Sequence, residues 1–163
     1  MAVELLLEGG LYGHLNHLYD NPDMPFAVMK KVFSTASSGE LVGTEKTDGQ
    51  NLYISYSVRD GKAKAARNKG NIKQGGMDAA GLAAKFGGRG ALEKAFTESF
   101  AAFETAVNQF NPKQQVAIFG EDANIFYNAE IMDPSNANVI NYDTKSLVIH
   151  QQGHSEFDRE TGN

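Results

Sequence analysis

Lys46 stands in the stretch Thr44-Glu45-Lys46-Thr47-Asp48-Gly49-Gln50-Asn51. Two residues past the lysine, Asp-Gly permits a tight turn, because glycine adopts backbone angles that other residues avoid. A lysine held at the end of a strand by such a turn can face a pocket, and its amine is a potential nucleophile. Nucleophilic attack needs the neutral amine, and neighbouring cations favour loss of its proton. Arg67, Asn68 and Lys69 follow a hairpin that would return them beside the lysine. The same cations could neutralise phosphate oxygens during phosphoryl transfer. Taken alone, Lys-x-Asp-Gly also reads as an ordinary hairpin turn, and residues 67–73 as a solvated charged turn.

The elements that must position these residues follow from periodicity. Residues 41–46 read as a strand entering the Asp-Gly turn. Leu52, Ile54, Tyr56 and Val58 alternate with Tyr53, Ser55 and Ser57, the period of two of a strand. Asp60-Gly61 is a hairpin signal, and residues 62–67 form the returning strand. Upstream, Asn21-Pro22 marks a turn, and Pro25 opens a helix running to about Phe33 with Asp23 as its cap. Residues 34–40 break that pattern. From Asp78 the chain turns helical, with a break at Gly87, Gly88 and Gly90. Leu92, Phe96, Phe100, Phe103 and Val107 then recur every three to four residues up to Asn111-Pro112. Residues 116–119 and 125–132 read as strands, Pro134-Ser135-Asn136 as a turn, and residues 146–150 as a last short strand. The expectation is an α+β fold, one domain over residues 1–163, with a mostly antiparallel sheet and packed helices.

Composition narrows the chemistry. The 163 residues contain no Cys, which removes disulfides, thiolate catalysis and sulfur-based zinc sites. That absence also fits a reducing compartment. No apolar run reaches the roughly 20 residues of a membrane span, and residues 1–7 hold no basic residue of the kind that begins a secretory signal. A net charge of -5 argues against coating nucleic acid by bulk charge. The charge is uneven, however. Residues 59–73 carry Arg59, Lys62, Lys64, Arg67, Lys69 and Lys73 against Asp60 alone, whereas Arg159 is the one Lys or Arg beyond Lys145. His14, His17 and Asp20 have a spacing that metal ligands on a helix could use, but they are too few, and Gly13 disfavours the helix.

"EKTDGQN", then "ARNKG", then "NAEIMDPSNANVINYD" and "LVIH" together resemble the covalent nucleotidyltransferase superfamily of ATP-dependent DNA ligases, RNA ligases and capping enzymes. The resemblance is closest to RNA ligase-like proteins of bacteriophages and runs over residues 41–150, with residues 78–110 as a helical insertion. It implies a ligase adenylation domain that uses ATP with Mg²⁺ and acts on nucleic-acid ends, RNA more than DNA, in the cytoplasm of a host cell. Lys46 would attack the α-phosphate of ATP and become lysyl-AMP. Asp48 and Gly49 would hold the lysine loop, and Thr44 and Glu45 would contact adenine through the backbone. Arg67 would contact ribose or phosphate, with Lys69 as a weaker candidate. Two glutamates fit the ribose-contacting third motif. Glu121 lies in the Phe-Gly-Glu form of "IFGED". Glu130 lies on a better strand, followed at suitable spacing by Asn138, Tyr142 and the strand ending at His150, and is favoured.

Family members continue with a further glutamate motif and a strand of paired lysines, whereas here no lysine follows Lys145. The chain is therefore expected to be either a fragment or a short member. The rival expectation is a non-catalytic phage domain that keeps the fold and binds nucleotide, RNA or a protein.

Overall fold

The computed structural model of the chain describes residues 21–41, 43 and 47–156, the last six as backbone. The chain separates into two compact units, residues 1–46 and 47–163. In the first, helix α1 spans Phe26–Ser37. It starts one residue later than the proline pattern suggests: Pro25 is the extended cap residue, without a side-chain cap bond. Asp23 does not cap it; its N–H donates to the Asn21 side chain at 3.0 Å. The helix also runs through Ser34 and Thr35, whose run of small polar residues read as a break. The Thr35 and Ser37 hydroxyls there donate back to the carbonyls of Lys31 and Ser34.

The second unit is built on four antiparallel strands: β1 (Gln50–Ser57), β2 (Lys62–Ala66), β3 (Ile125–Met132) and β4 (Ser146–Glu156). Their order across the sheet is β2-β1-β3-β4. Asp60-Gly61 closes the β1–β2 hairpin with Gly61 at φ 63, in register Tyr53 to Ala66 and Ser57 to Lys62. β1 pairs with β3 so that Asn51 lies opposite Glu130 and Tyr53 opposite Asn128. Between β2 and β3 come α2 (Lys69–Lys73), α3 (Ala79–Phe86), α4 (Ala91–Val107) and α5 (Pro112–Phe119). The fold is α+β with an antiparallel sheet, as strands before and after a central helical block imply.

One sheet face packs on the helices. Leu52, Ile54, Tyr56, Ala63, Ala65, Ala129 and Ile131 meet Leu82, Phe86, Phe96, Phe100, Phe103, Val107 and Phe119 in one core. Phe86 and Phe96 stack with centroids 4.0 Å apart, and Phe119 meets Phe103 and Tyr127 edge to face. Each fully buried large side chain contributes about 1.5–3 kcal/mol, so α4, which supplies Phe96, Phe100, Phe103 and Val107 at helical spacing, is the chief anchor of the layer.

Two segments depart from the sequence reading. Residues 116–119 belong to helix α5, not to a strand. The preceding helix ends at Val107, capped by Asn108, and Asn111-Pro112 starts this one: the Asn111 side chain accepts from Gln114 N–H while the Gln114 side chain accepts from Asn111 N–H, with proline in the first turn. Within residues 67–73, for which a solvated charged turn was one of two readings, residues 69–73 form α2, which is capped by the Asn68 side chain accepting from Asn71 N–H at 2.9 Å and buries Ile72.

Candidate functional site

Residues 47–50, which lead from Lys46 into β1, are clasped from two sides. From β3, the Glu130 carboxylate accepts the Gly49 N–H at 2.7 Å with one oxygen and the Thr47 hydroxyl with the other. Alternation of side chains explains the reach. Glu130 lies opposite Asn51 on the sheet face away from the helical core, so its side chain stands beside the residues just before β1. The approach is close enough that Gly49 admits no side chain. A Cβ there would run into the Ile131 carbonyl oxygen, with the carbonyl carbon at 2.9 Å and Glu130 Cγ at 3.0 Å.

The second side is the connection between β3 and β4. The Asp48 carboxylate accepts the backbone N–H groups of Val139 and Ile140 at 2.7 and 2.8 Å. In return, Asp48 N–H donates to the Tyr142 hydroxyl at 2.9 Å, and Asn138 links the Gly49 carbonyl at 3.0 Å to the Gln50 amide at 2.8 Å. The base of this connection is braced by Lys145, which sits 2.8 Å from Glu98 and 3.2 Å from Asp133. Burial alone would raise the Asp133 carboxyl above the usual range. Donors from the Ser135 hydroxyl and N–H and from Lys145 outweigh it and hold the group below that range.

His150, which lies two residues beyond Val148, the strand partner of Glu130, brings Nε2 to 3.2 Å from the Glu130 carboxylate. Sequence reasoning gave this histidine no role. The signal was present, since residues two apart on a strand share a face, but it required the β3–β4 register. Asn51 and Asn128 add a side-chain hydrogen bond on the same face.

The two glutamates are far apart. Glu121 follows Gly120, the cap of α5 at φ 74, so its Phe-Gly-Glu sequence ends a helix. It is exposed, and its carbonyl accepts from Arg59 N–H at 3.1 Å. The neighbouring Asp122 bridges to Ser57, at the opposite end of β1 from Gln50, a separation of roughly 23 Å at strand spacing. Glu130 meets the Lys46-flanking loop and Glu121 does not. Arg67 is also directed elsewhere. Its guanidinium donates to the Asn51 carbonyl and lies 4.9 Å from the Phe96 ring centroid and 5.9 Å from that of Phe86, on the helical side of the sheet. Burial lowers its pKa from the usual arginine value. Lys69 opens α2 and is exposed. Lys46, Thr44 and Glu45 lie outside the described residues, as do His14, His17 and Asp20.

No family model, curated protein or solved structure matches this chain. Its chemistry therefore has to be read from the site. Among the described residues, no three His, Asp or Glu side chains gather as a cation site, and no helix is long and apolar enough to cross a membrane. The Asp48 and Glu130 carboxylates accept N–H and hydroxyl donors, which does not fit a Mg²⁺ held by these side chains. A metal entering with ATP would belong to the substrate. The arrangement is a loop of fixed shape that follows Lys46 in sequence, held by a carboxylate that an imidazole approaches.

Proposed function

We propose that the chain is the adenylation domain of an ATP-dependent polynucleotide ligase, with RNA ends favoured over DNA. In this reading the neutral Lys46 amine attacks the α-phosphate of ATP. An N–P bond forms, the bond from the α-phosphorus to the pyrophosphate oxygen breaks, and the amine loses a proton to solvent. The AMP then passes to a nucleic-acid 5′-phosphate. The observation that supports it is the meeting of Asp48, Gly49 and Glu130, drawn from motifs more than eighty residues apart, around the loop that leads out of Lys46. Such a clasp fixes residues 47–50, and in this reading that order serves orientation of a nucleophile, which is worth several kcal/mol of barrier.

Incubation with α-labelled ATP and Mg²⁺ should label the protein covalently, and Lys46→Ala should abolish the label. A wild-type protein that binds ATP and takes up no label would sink the ligase reading. It would favour the alternative, a non-catalytic phage nucleotide- or RNA-binding domain. That alternative draws support from Arg67, whose guanidinium is engaged with the Asn51 carbonyl and two phenylalanine rings. Calorimetry with a non-hydrolysable ATP analogue separates nucleotide binding from its absence.

A further inference from the structure

Residues 59–89 contain eight Lys and Arg against two acids, Asp60 and Asp78, whereas the rest of the chain holds seven against eighteen. The fold spreads these cations along one edge. β2 is an outer strand of the sheet, α2 continues from its end, and α3 runs alongside it. Asp78, the cap of α3, feels the charges of Lys62 and Lys64. Phe86, in the last turn of that helix, lies beneath Arg67 and also carries Arg89, 5.6 Å from its centroid. Arg59 and Lys64 are occupied in salt bridges with Asp122 and Asp60. Lys62, Lys69, Lys73, Lys85 and Arg89 are exposed, and none of them forms a salt bridge among the described residues.

The backbone of this edge is closed to an added strand. Ala63 N–H donates to the Glu104 carboxylate at 2.9 Å, and Ala65 exchanges two hydrogen bonds with Met77, at 2.8 and 2.7 Å. What the edge offers outward is charge, not unpaired peptide groups. The five cations come from β2, α2, α3 and the turn after α3 instead of from one element, which suits a linear polyanion better than a small anion. β2 alone spans about 16 Å, roughly five phosphates at the 3.4 Å spacing of one strand of a duplex.

We propose that the β2 edge, with Lys62, Lys69, Lys73, Lys85 and Arg89, is a strip that binds the phosphodiester backbone of a nucleic acid. The nature of the polyanion rests on the proposed function; the placement of the cations does not. Binding through phosphates carries no base information, so the strip would hold and orient a strand without selecting its sequence.

The test is fluorescence anisotropy with a 5′-labelled RNA oligonucleotide, and separately a DNA one, between about 50 and 200 mM salt. If all five cations engage, log K falls against log salt with a slope near −3.5 for a single strand, at about −0.7 per contact. The triple variant Lys62→Glu/Lys73→Glu/Lys85→Glu should flatten that slope by about 2 and weaken binding at least tenfold at the lower salt. Single Lys→Gln variants at the same positions, read if the triple variant melts early, should each flatten it by about 0.7. Lys113→Glu on α5 should leave the slope as it is. A strip variant that keeps the wild-type slope overturns the proposal. So does an equal loss from Lys113→Glu, or a wild-type protein that binds phosphatidylglycerol vesicles in preference to either oligonucleotide. Strip-dependent RNA binding without lysyl-AMP formation would leave the strip standing and remove the ligase reading. Label with an unchanged slope would do the reverse.

Discussion

Gly49→Ala tests the clasp around the Lys46-flanking loop most directly. The new methyl would meet the carbonyl group of Ile131, which belongs to a paired strand, so it cannot swing aside as a flexible side chain would. Overpacking of this kind costs about 1–3 kcal/mol. Displacing the loop also stretches the charge-assisted bond from Gly49 N–H to Glu130, whose loss is worth about 1.5–3 kcal/mol. Restricting the unfolded chain returns about 0.4–1 kcal/mol. The net expectation is a destabilisation of about 3 kcal/mol, which lowers Tm by roughly 6–12 °C in a chain of this size. Differential scanning calorimetry reads the shift, and urea titration checks that the m-value is preserved. Glu130→Ala supplies the second arm. Once its carboxylate is gone, Gly49→Ala has one bond fewer to break, so the double variant should be less destabilised than the two singles together by about 1.5 kcal/mol. A Gly49→Ala protein melting within about 2 °C of wild type, or additive effects in the cycle, would refute the close approach of Gly49 to β3.

Arg67→Lys keeps the charge but loses the planar face over Phe96 and Phe86 and the reach to the Asn51 carbonyl. Stability should fall by about 2 kcal/mol, whereas lower ATP affinity with an unchanged melting temperature would assign Arg67 to the nucleotide instead. The Asp133 carboxyl has its pKa lowered in the folded state, so its stabilisation is complete above the unfolded value, near about 3.9. It drains as pH falls through the lower folded value. Asp133→Asn should lower stability at pH 7 and flatten the acid limb below about pH 4; superimposable acid limbs in chemical denaturation would count against the Ser135 and Lys145 contacts.

Legibility from sequence tracked how local each constraint is. The β1–β2 hairpin was readable because Asp60-Gly61 and the alternation of Leu52 through Val58 lie within a few residues of each other. The alternation concealed one thing: Tyr53, Ser55 and Ser57 are as buried as Leu52 and Ile54, so β1 is covered on both faces. Helix α5 was missed because Val116 to Phe119 is a short apolar run, which periodicity cannot assign. The decisive signal was the Asn111-Pro112-Gln114 capping box upstream. β4 extends to Glu156, beyond the apolar residues that mark its start, because pairing with β3 carries it on. At the site, Asp48 and Gly49 were legible as a tight turn after Lys46, whereas Glu130 was singled out only through the resemblance. That Glu130 and not Glu121 meets the loop depends on strand register, as does the contact with His150. The basic run of residues 59–73 was legible as charge but not as place, since Arg67 turns into the core while Lys62, Lys69 and Lys73 stay outside.

The bonds that shape the Lys46-flanking loop span 83 residues from Thr47 to Glu130 and 94 from Asp48 to Tyr142. A chain emerging from the ribosome at about 5–20 residues per second makes Asp48 roughly 5–20 seconds before it makes Tyr142. For that interval the β1–β2 hairpin can form from local contacts alone, but the loop has nothing to accept its N–H groups or to bind its carboxylate. Its geometry therefore arrives after that of the hairpin. Any event that loosens residues 138–142 after folding, such as a proteolytic nick, would unshape residues 48–50 while leaving the hairpin and the phenylalanine core in place.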